Sequence, residues 1–205
     1  MSKDDQSILV VPTELLFLDG SFQGFQTPTT DYEARILDNS RYIRRGSAEE
    51  DPTFKQPIAY CTVVNPGLKQ VFAYQRSKLD PDYPEKRLQG KWSWGVGGHI
   101  EQSDGESENP IQDSMLRELE EEIDGLKNPQ ISVLGYINYD QDEVSQVHFG
   151  ILYLVQTDSQ IILPKDPEMA HGKFRRLNEL EEICETEQVE AWSEIALQPL
   201  KEQLR

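Results

Sequence analysis

The residues best placed to do chemistry are the run Arg117-Glu118-Leu119-Glu120-Glu121-Glu122, which follows the glycine cluster Gly95-Val96-Gly97-Gly98 and an acidic loop. On a helix turning about 100° per residue, Glu118, Glu121 and Glu122 fall on one face, while Glu120 points almost opposite Glu118. Like charges at these spacings repel, at about 0.2–0.5 kcal/mol per pair. Two environments would offset that. One is a solvated acidic stripe with Arg117 and Lys127 nearby. The other is a hard divalent cation, Mg²⁺ or Mn²⁺, which takes oxygen ligands and shares them with substrate phosphates. The glycines before the helix permit close backbone approach and leave carbonyls able to act as further ligands.

The elements that must carry these residues can be read from periodicity. Met115, Leu116, Leu119 and Ile123 recur at helical spacing and predict a helix over about residues 111–124, with Gly125 placed to close it. A strand "KWSWGVGG" leads into it, so the apolar face of the helix would press the neighbouring carboxylates towards a strand–loop junction. Upstream, "PIAYCTVVN" and "KQVFAYQR", separated by Pro-Gly, predict a hairpin. Downstream come strands "QISVLGYIN" and "QVHFGILYLVQ", a short strand "KFRR", a segment "LNELEEIC" and an amphipathic final helix around "TEQVEAWSEIALQPL". The first 55 residues read as an extension with two or three short strands or turns, in which "GSAEEDP" looks like an exposed loop.

Bulk properties narrow the classes. A chain of 205 residues with 37% hydrophobic and 9% aromatic content can bury one sizeable core. Its 20 Lys+Arg against 37 Asp+Glu oppose non-specific attraction to nucleic acid or an anionic membrane. The N-terminus has polar residues where a signal peptide needs an apolar core, and no apolar run approaches the length of a membrane span, so a cytoplasmic protein is expected. Cys61 and Cys184, far apart and outside any C-x-x-C spacing, suggest neither a disulfide framework nor a thiolate zinc site.

The segment 98–125 resembles the Nudix box, G-x5-E-x7-R-E-U-x-E-E-x-G-U, where U is a bulky aliphatic residue. Gly98 matches the opening glycine, Glu106 the loop glutamate, and residues 117–122 the R-E-U-x-E-E run without a gap. The loop half departs from the pattern. Two extra residues lie between Gly98 and Glu106, three more between Glu106 and Arg117, and the closing glycine arrives one position late. Whether Glu101, Asp104 or Glu106 is the supporting loop acid stays open on spacing alone. The stretches "KRLQGKWSWGVGGHIE" and "GYINYDQDEVSQVHFGILY" further resemble a Nudix subgroup described as predicted phosphoesterases. The resemblance implies an α/β/α sandwich with a mixed central sheet over residues 56–205, preceded by a β-rich extension at 1–55. It implies hydrolysis of a diphosphate in a nucleoside diphosphate linked to another moiety X, with Mg²⁺ or Mn²⁺ held by Glu118, Glu121, Glu122 and the Gly98 carbonyl. Glu118 would ligate metal or act on the attacking water, and Arg117 would hold a neighbouring glutamate by charge-assisted hydrogen bonds. A homodimer is common for the fold.

Other roles remain distributed over loops. Glu143 and Glu168 are the leading candidates for the general base, with Asp140 and Asp142 beside them. Arg87 and Lys91, nearest the glycine loop in a cluster with Arg76, Lys78 and Lys86, could grip phosphates. Trp94, with Trp92 on the same strand face, could wall a planar group or pack in the core. His99 adjoins the metal region, and both it and His148 also suit a structural role. The substrate is expected to be a small diphosphate compound, with no nucleic-acid or membrane partner. The competing readings are a catalytically silent nucleotide-sensing module and an enzyme like isopentenyl-diphosphate isomerase. The isomerase class needs a cysteine where this chain has Val96 and Gly97.

Overall fold

The computed structural model describes residues 3–77, 87–106 and 108–204, without the Glu106 side chain. Lys78 and Lys86 of the expected basic cluster lie outside the described residues, as does the side chain of Glu106. The first part of the chain forms β1 (Ser7–Pro12), α1 (Thr13–Leu16), β2 (Gly24–Gln26), α2 (Tyr32–Asn39), β3 (Arg41–Arg44) and α3 (Arg45–Ala48). The expected hairpin follows as β4 (Phe54–Asn65) and β5 (Gln70–Arg76), then β6 (Trp92–Ser93), α4 (Pro110–Glu122) and β7 (Ile123–Asp124). The rest comprises β8 (Gln130–Asn138), β9 (His148–Gln156), β10 (Leu163–Pro164), β11 (Met169–Arg176), α5 (Leu177–Thr186) and α6 (Ala191–Gln203). The main sheet runs in the order β11-β5-β4-β9-β8-β2, and β7 and β10 form a separate pair.

The chain divides into two compact units, and residues 1–55 do not cluster alone. They fall with Gly97–Glu118 and Val133–Leu152 in the first unit. There β1 pairs antiparallel with β3 from Ser7↔Arg44 to Val10↔Arg41, and its far end pairs with β4 at Val11↔Lys55. Single bridges join Ile8 to Glu101 and Ile58 to His99. Ile8, Val10 and Ala48 are fully buried together, with Ile43 and Phe54 packed against them. A second cluster is aromatic: Phe17, Phe22, Tyr32, Tyr136 and Phe149 meet edge-on or stacked, with centroids 4.8–6.2 Å apart. Two features here differ from expectation. The segment is richer in helix, because Asp31 caps α2 by accepting from the Ala34 amide and Tyr32 and Ile36 bury one face. The stretch Gly46–Pro52 is not a plain exposed loop, since α3 enters it and buries Ala48.

The second unit holds Cys61–Val96, Leu119–Ser132 and Tyr153–Arg205. The Pro-Gly turn gives the register Val64↔Val71 and Asn65↔Gln70, closed by the Asn65 side chain accepting from the Leu68 amide. β11 pairs with β5 from Met169 to Arg176, with a bulge between Ala170 and Lys173, and is longer than the four-residue strand expected. Phe72, Tyr74 and Trp94 are fully buried there, as are Leu180 of α5 and Ala196 and Leu200 of α6. β6 is only two residues long; the rest of "KWSWGVGG" makes single bridges such as Cys61↔Val96. The final helix begins at Ala191, later than expected.

α4 ends at Glu122, two residues before the predicted stop. Ile123 and Asp124 are drawn instead into pairing with Pro164 and Leu163. The carbonyls left at the helix end are taken by the backbone amide of Lys165, 2.8 Å from Glu122 O, and by its ammonium, 2.6 Å from Glu120 O. Gly125 then turns the chain with φ of +88°. Leu116, expected on the apolar face, is exposed, and the buried stripe is Ile111, Ser114, Met115 and Leu119. Cys61 and Cys184 form no disulfide.

Candidate active site

The stretched loop resolves around one acid. Residues Gln102–Glu106 form a 3₁₀ turn that tucks Asp104 inward until it is 6% exposed. Its carboxylate accepts two hydrogen bonds from the guanidinium of Arg117, at 2.8 Å from Nε and 3.0 Å from Nη2, and a third from the Glu101 amide at 2.7 Å. Arg117 also donates from Nη1 to Glu118 Oε1 at 2.7 Å and from Nη2 to the His99 carbonyl at 3.0 Å. The paired geometry is the strong form of a charge-assisted contact. Above all the Asp104 hydrogen bond, and then the Glu118 charge, hold Arg117 above its ordinary range despite burial. Glu101 turns elsewhere, its side chain accepting from Gln6. Of the two loop acids whose side chains are described, Glu101 and Asp104, Asp104 is the one that meets Arg117.

Glu118 lies directly over Gly98. A β-carbon added there would strike all the atoms of the Glu118 carboxyl group, and one added at Gly97 would strike the Ala59 carbonyl. The two glycines therefore do different work: Gly97 lets the chain pass β4, and Gly98 leaves room for the carboxylate. Along α4, Glu118 is mostly buried, Glu122 half-buried and Glu121 exposed, the order expected for three acids sharing a face whose edge meets the core. Carboxylates at i, i+3 and i+4 are oxygen donors, the type that suits Mg²⁺ or Mn²⁺, and of the three Glu118 is the one seen held by Arg117.

The remaining expected residues scatter. Asp140 is committed to an ion pair: Lys55 Nζ, 3% exposed, lies 2.6 Å from Asp140 Oδ1, and Gln23 and Asn138 donate to its other oxygen. Asp142 caps the turn ahead of β9 through the Ser145 amide and hydroxyl. Glu143 is exposed and Glu168 half-buried, its amide bonded to Asp166. Arg87 is exposed and Lys91 half-buried, whereas Arg76 is tied to Glu190 at 2.8 Å. Trp94 is in the core, not on a wall: it has no exposed surface, and its indole nitrogen has no hydrogen-bond partner. Trp92 is also buried, under the Arg175 guanidinium.

His99 turns its ring away from the glycine loop, to Gln56 and His148. Burial above all, then His148 and the charges of Arg45 and Lys3, push it well below the usual histidine range. A surface groove of about 530 Å³ beside the β4–β5 turn, lined in part by Asn65, Asn128 and Asp158, contains none of the expected site residues.

Comparison with known proteins bears on this arrangement directly. A family model described as the NUDIX domain matches residues 55–197. Protein YmaB of Bacillus subtilis (strain 168) is 36% identical over 212 residues, spanning 98% of this chain and all of its own. The crystal structure of Tm1382, a candidate Nudix hydrolase, superposes with a TM-score of 0.77 at 27% identity, over 97% of this chain and 100% of that one. The NUDIX domain of Shewanella oneidensis NrtR, cocrystallised with ADP ribose, shares the fold at a TM-score of 0.56 and 16% identity, over 74% and 89% of the two chains. The matched region carries the ordered Arg117–Glu118 pair over Gly98, so the α/β/α sandwich and the box stand together, and the chain belongs to the Nudix family.

Proposed function

We propose that the protein hydrolyses a diphosphate linkage in a nucleoside diphosphate joined to another moiety X, with Mg²⁺ or Mn²⁺ held by Glu118, Glu121, Glu122 and the Gly98 carbonyl. The observation that carries this reading is the clamp of Asp104 on Arg117, which fixes Glu118 over Gly98, where a β-carbon would displace the carboxylate from this position. Arg117 occupies one oxygen of Glu118 and so orients the other. Glu118 is then held in place before substrate arrives. When bound, the cation would stabilise charge developing on the phosphate oxygens and lower the pKa of the attacking water. Glu143 or Glu168 would accept the proton of that water, and Arg87 and Lys91 would carry charge to the terminal phosphates. Trp94 and the His99 ring are not assigned to substrate. The reaction is proposed for the cytoplasm; among the described residues no helix is long and apolar enough to cross a membrane.

Turnover should be screened over nucleoside triphosphates, ADP-ribose, sugar nucleotides and dinucleotides with Mg²⁺ or Mn²⁺, the phosphomonoester products being separated by chromatography. We expect turnover in the wild type and a loss exceeding about 100-fold in Glu121→Gln, because losing even an outer-shell partner of a metal costs about 10–100-fold. Absence of turnover, with metal-dependent nucleotide binding intact by calorimetry, would replace this reading with a binding module.

A further inference from the structure

Beyond the box, one cluster brings nitrogen ligands together. Glu49 stands at the end of α3, Gln56 in β4, His99 after the glycine loop and His148 at the start of β9. The Ile58↔His99 bridge sets His99 beside β4, where Gln56 shares a face with Ile58. The two imidazoles point Nε2 at Nε2 across 3.1 Å. His99 Nε2 is also 2.7 Å from Gln56 Oε1 and 3.9 Å from Glu49 Oε1. The ligand atoms of Glu49, His99 and His148 all lie within 4.8 Å of one another. Tetrahedral coordination with bonds of about 2.0–2.1 Å separates ligand atoms by about 3.3 Å, which falls inside that range.

The surroundings are those of ligands and not of a casual contact. His148 Nδ1 is 2.5 Å from the Val144 carbonyl, which can only accept, so Nδ1 carries the proton and Nε2 presents its lone pair to the cluster. Gln56 has no exposed surface, and it keeps its oxygen on His99 while its amide nitrogen stays buried without a hydrogen-bond partner among the described residues. Glu49 is oriented by Arg45, whose Nε lies 3.2 Å from the same oxygen that faces His99. With His148 Nε2 and Gln56 Oε1 both acceptors, His99 Nε2 meets them either with one proton or across one cation.

We infer that Glu49, His99 and His148, with the Gln56 amide oxygen, form a metal site for a borderline transition cation of the Zn²⁺ class, separate in its donor set from the carboxylates of α4. Imidazole nitrogens favour such ions over Mg²⁺, and four mostly buried donors leave little room for substrate, as in a structural site. It would fasten the N-terminal segment, through Glu49, to the residue that follows Gly98. The inference does not depend on the hydrolase reading.

The test uses the full-length Glu121→Gln protein, in which the carboxylate face is impaired, stripped of metal and titrated with Co²⁺. The expected result is one equivalent bound with the strong visible bands of tetrahedral nitrogen–oxygen coordination, displaced by Zn²⁺. His148→Ala in the same background should lose the bands and bind at least about 100-fold more weakly. Weak octahedral bands only, or full retention of the tetrahedral bands in His148→Ala, would overturn the assignment. Should His148→Ala not fold, Glu49→Gln takes its place, with altered bands expected and an unchanged spectrum counting against the site. A turnover screen that found no phosphomonoester product while the Co²⁺ bands appeared would sink the hydrolase reading alone.

Discussion

At the scale of residues, the site depends on where one carboxylate of the loop goes. Asp104 and Arg117 form a mostly buried pair, with Arg117 24% exposed, and Glu118 shares the guanidinium. Removing one partner of a buried ion pair costs about 3–5 kcal/mol, and the exposure of Arg117 and the remaining Glu118 contact reduce the expectation for Asp104→Asn to about 2 kcal/mol. Activity should fall by about 10–100-fold, as for an outer-shell partner of a metal site. A thermal melt and steady-state kinetics would check both; an unchanged kcat with a lowered Tm would make Asp104 a packing residue only. The helix half of this arrangement could be read from the sequence because R-E-U-x-E-E is contiguous. The loop half could not, because an aspartate, Asp104, stands at the G-x5-E spacing from Gly98 and the loop glutamate two residues later, and only the folded 3₁₀ turn brings Asp104 onto Arg117. The histidine cluster was less legible still: its members sit at positions 49, 56, 99 and 148, and no local pattern links them.

At the scale of elements, long periodic segments were legible and short ones were not. The β4–β5 hairpin and α4 announce themselves by composition and spacing. α2 and α3 are too brief for periodicity, and they form because Ile36 and Ala48 find a core supplied by distant strands. The loop between β8 and β9 shows how a pattern of acids misleads, since Asp140 serves to hold β4. Burial works to raise its carboxyl, but hydrogen bonds from Lys55, Gln23 and Asn138 and the Lys55 charge prevail and hold it below the ordinary range. Burial likewise lowers Lys55, only partly offset by Asp140. A carboxyl depressed in the folded state contributes stability above its unfolded value of about 3.9, which is lost as pH falls through the folded value. Acid unfolding of the wild type should therefore be steeper than that of Asp140→Asn below about pH 4. At neutral pH the variant should be less stable by about 2 kcal/mol, a discounted buried-pair cost because the Asp140 side chain is 35% exposed. Equal pH slopes in the two proteins would show that the pair contributes nothing.

At the scale of the molecule, the first 55 residues are part of a unit and not an appendage. Ile8, Val10, Val11, Leu16, Ile36 and Ala48 are fully buried, and β1 pairs with both β3 and β4. The amide of Leu9 also donates to the carbonyl of Ile100, 2.8 Å away, next to the residues that shape the glycine loop. A chain lacking residues 3–53 should show no cooperative melt by circular dichroism, since it leaves the apolar partners of that unit exposed. A folded, active truncation with an unchanged Tm would reverse that conclusion. The same topology has a temporal consequence. The first unit recruits residues 3–60, then 97–118, then 133–152, so the first of these segments is synthesised well before its last partners. Until β9 is made, the edge of β4 that it pairs with stays open, and over that interval an apolar strand edge of the nascent chain is exposed to aggregation.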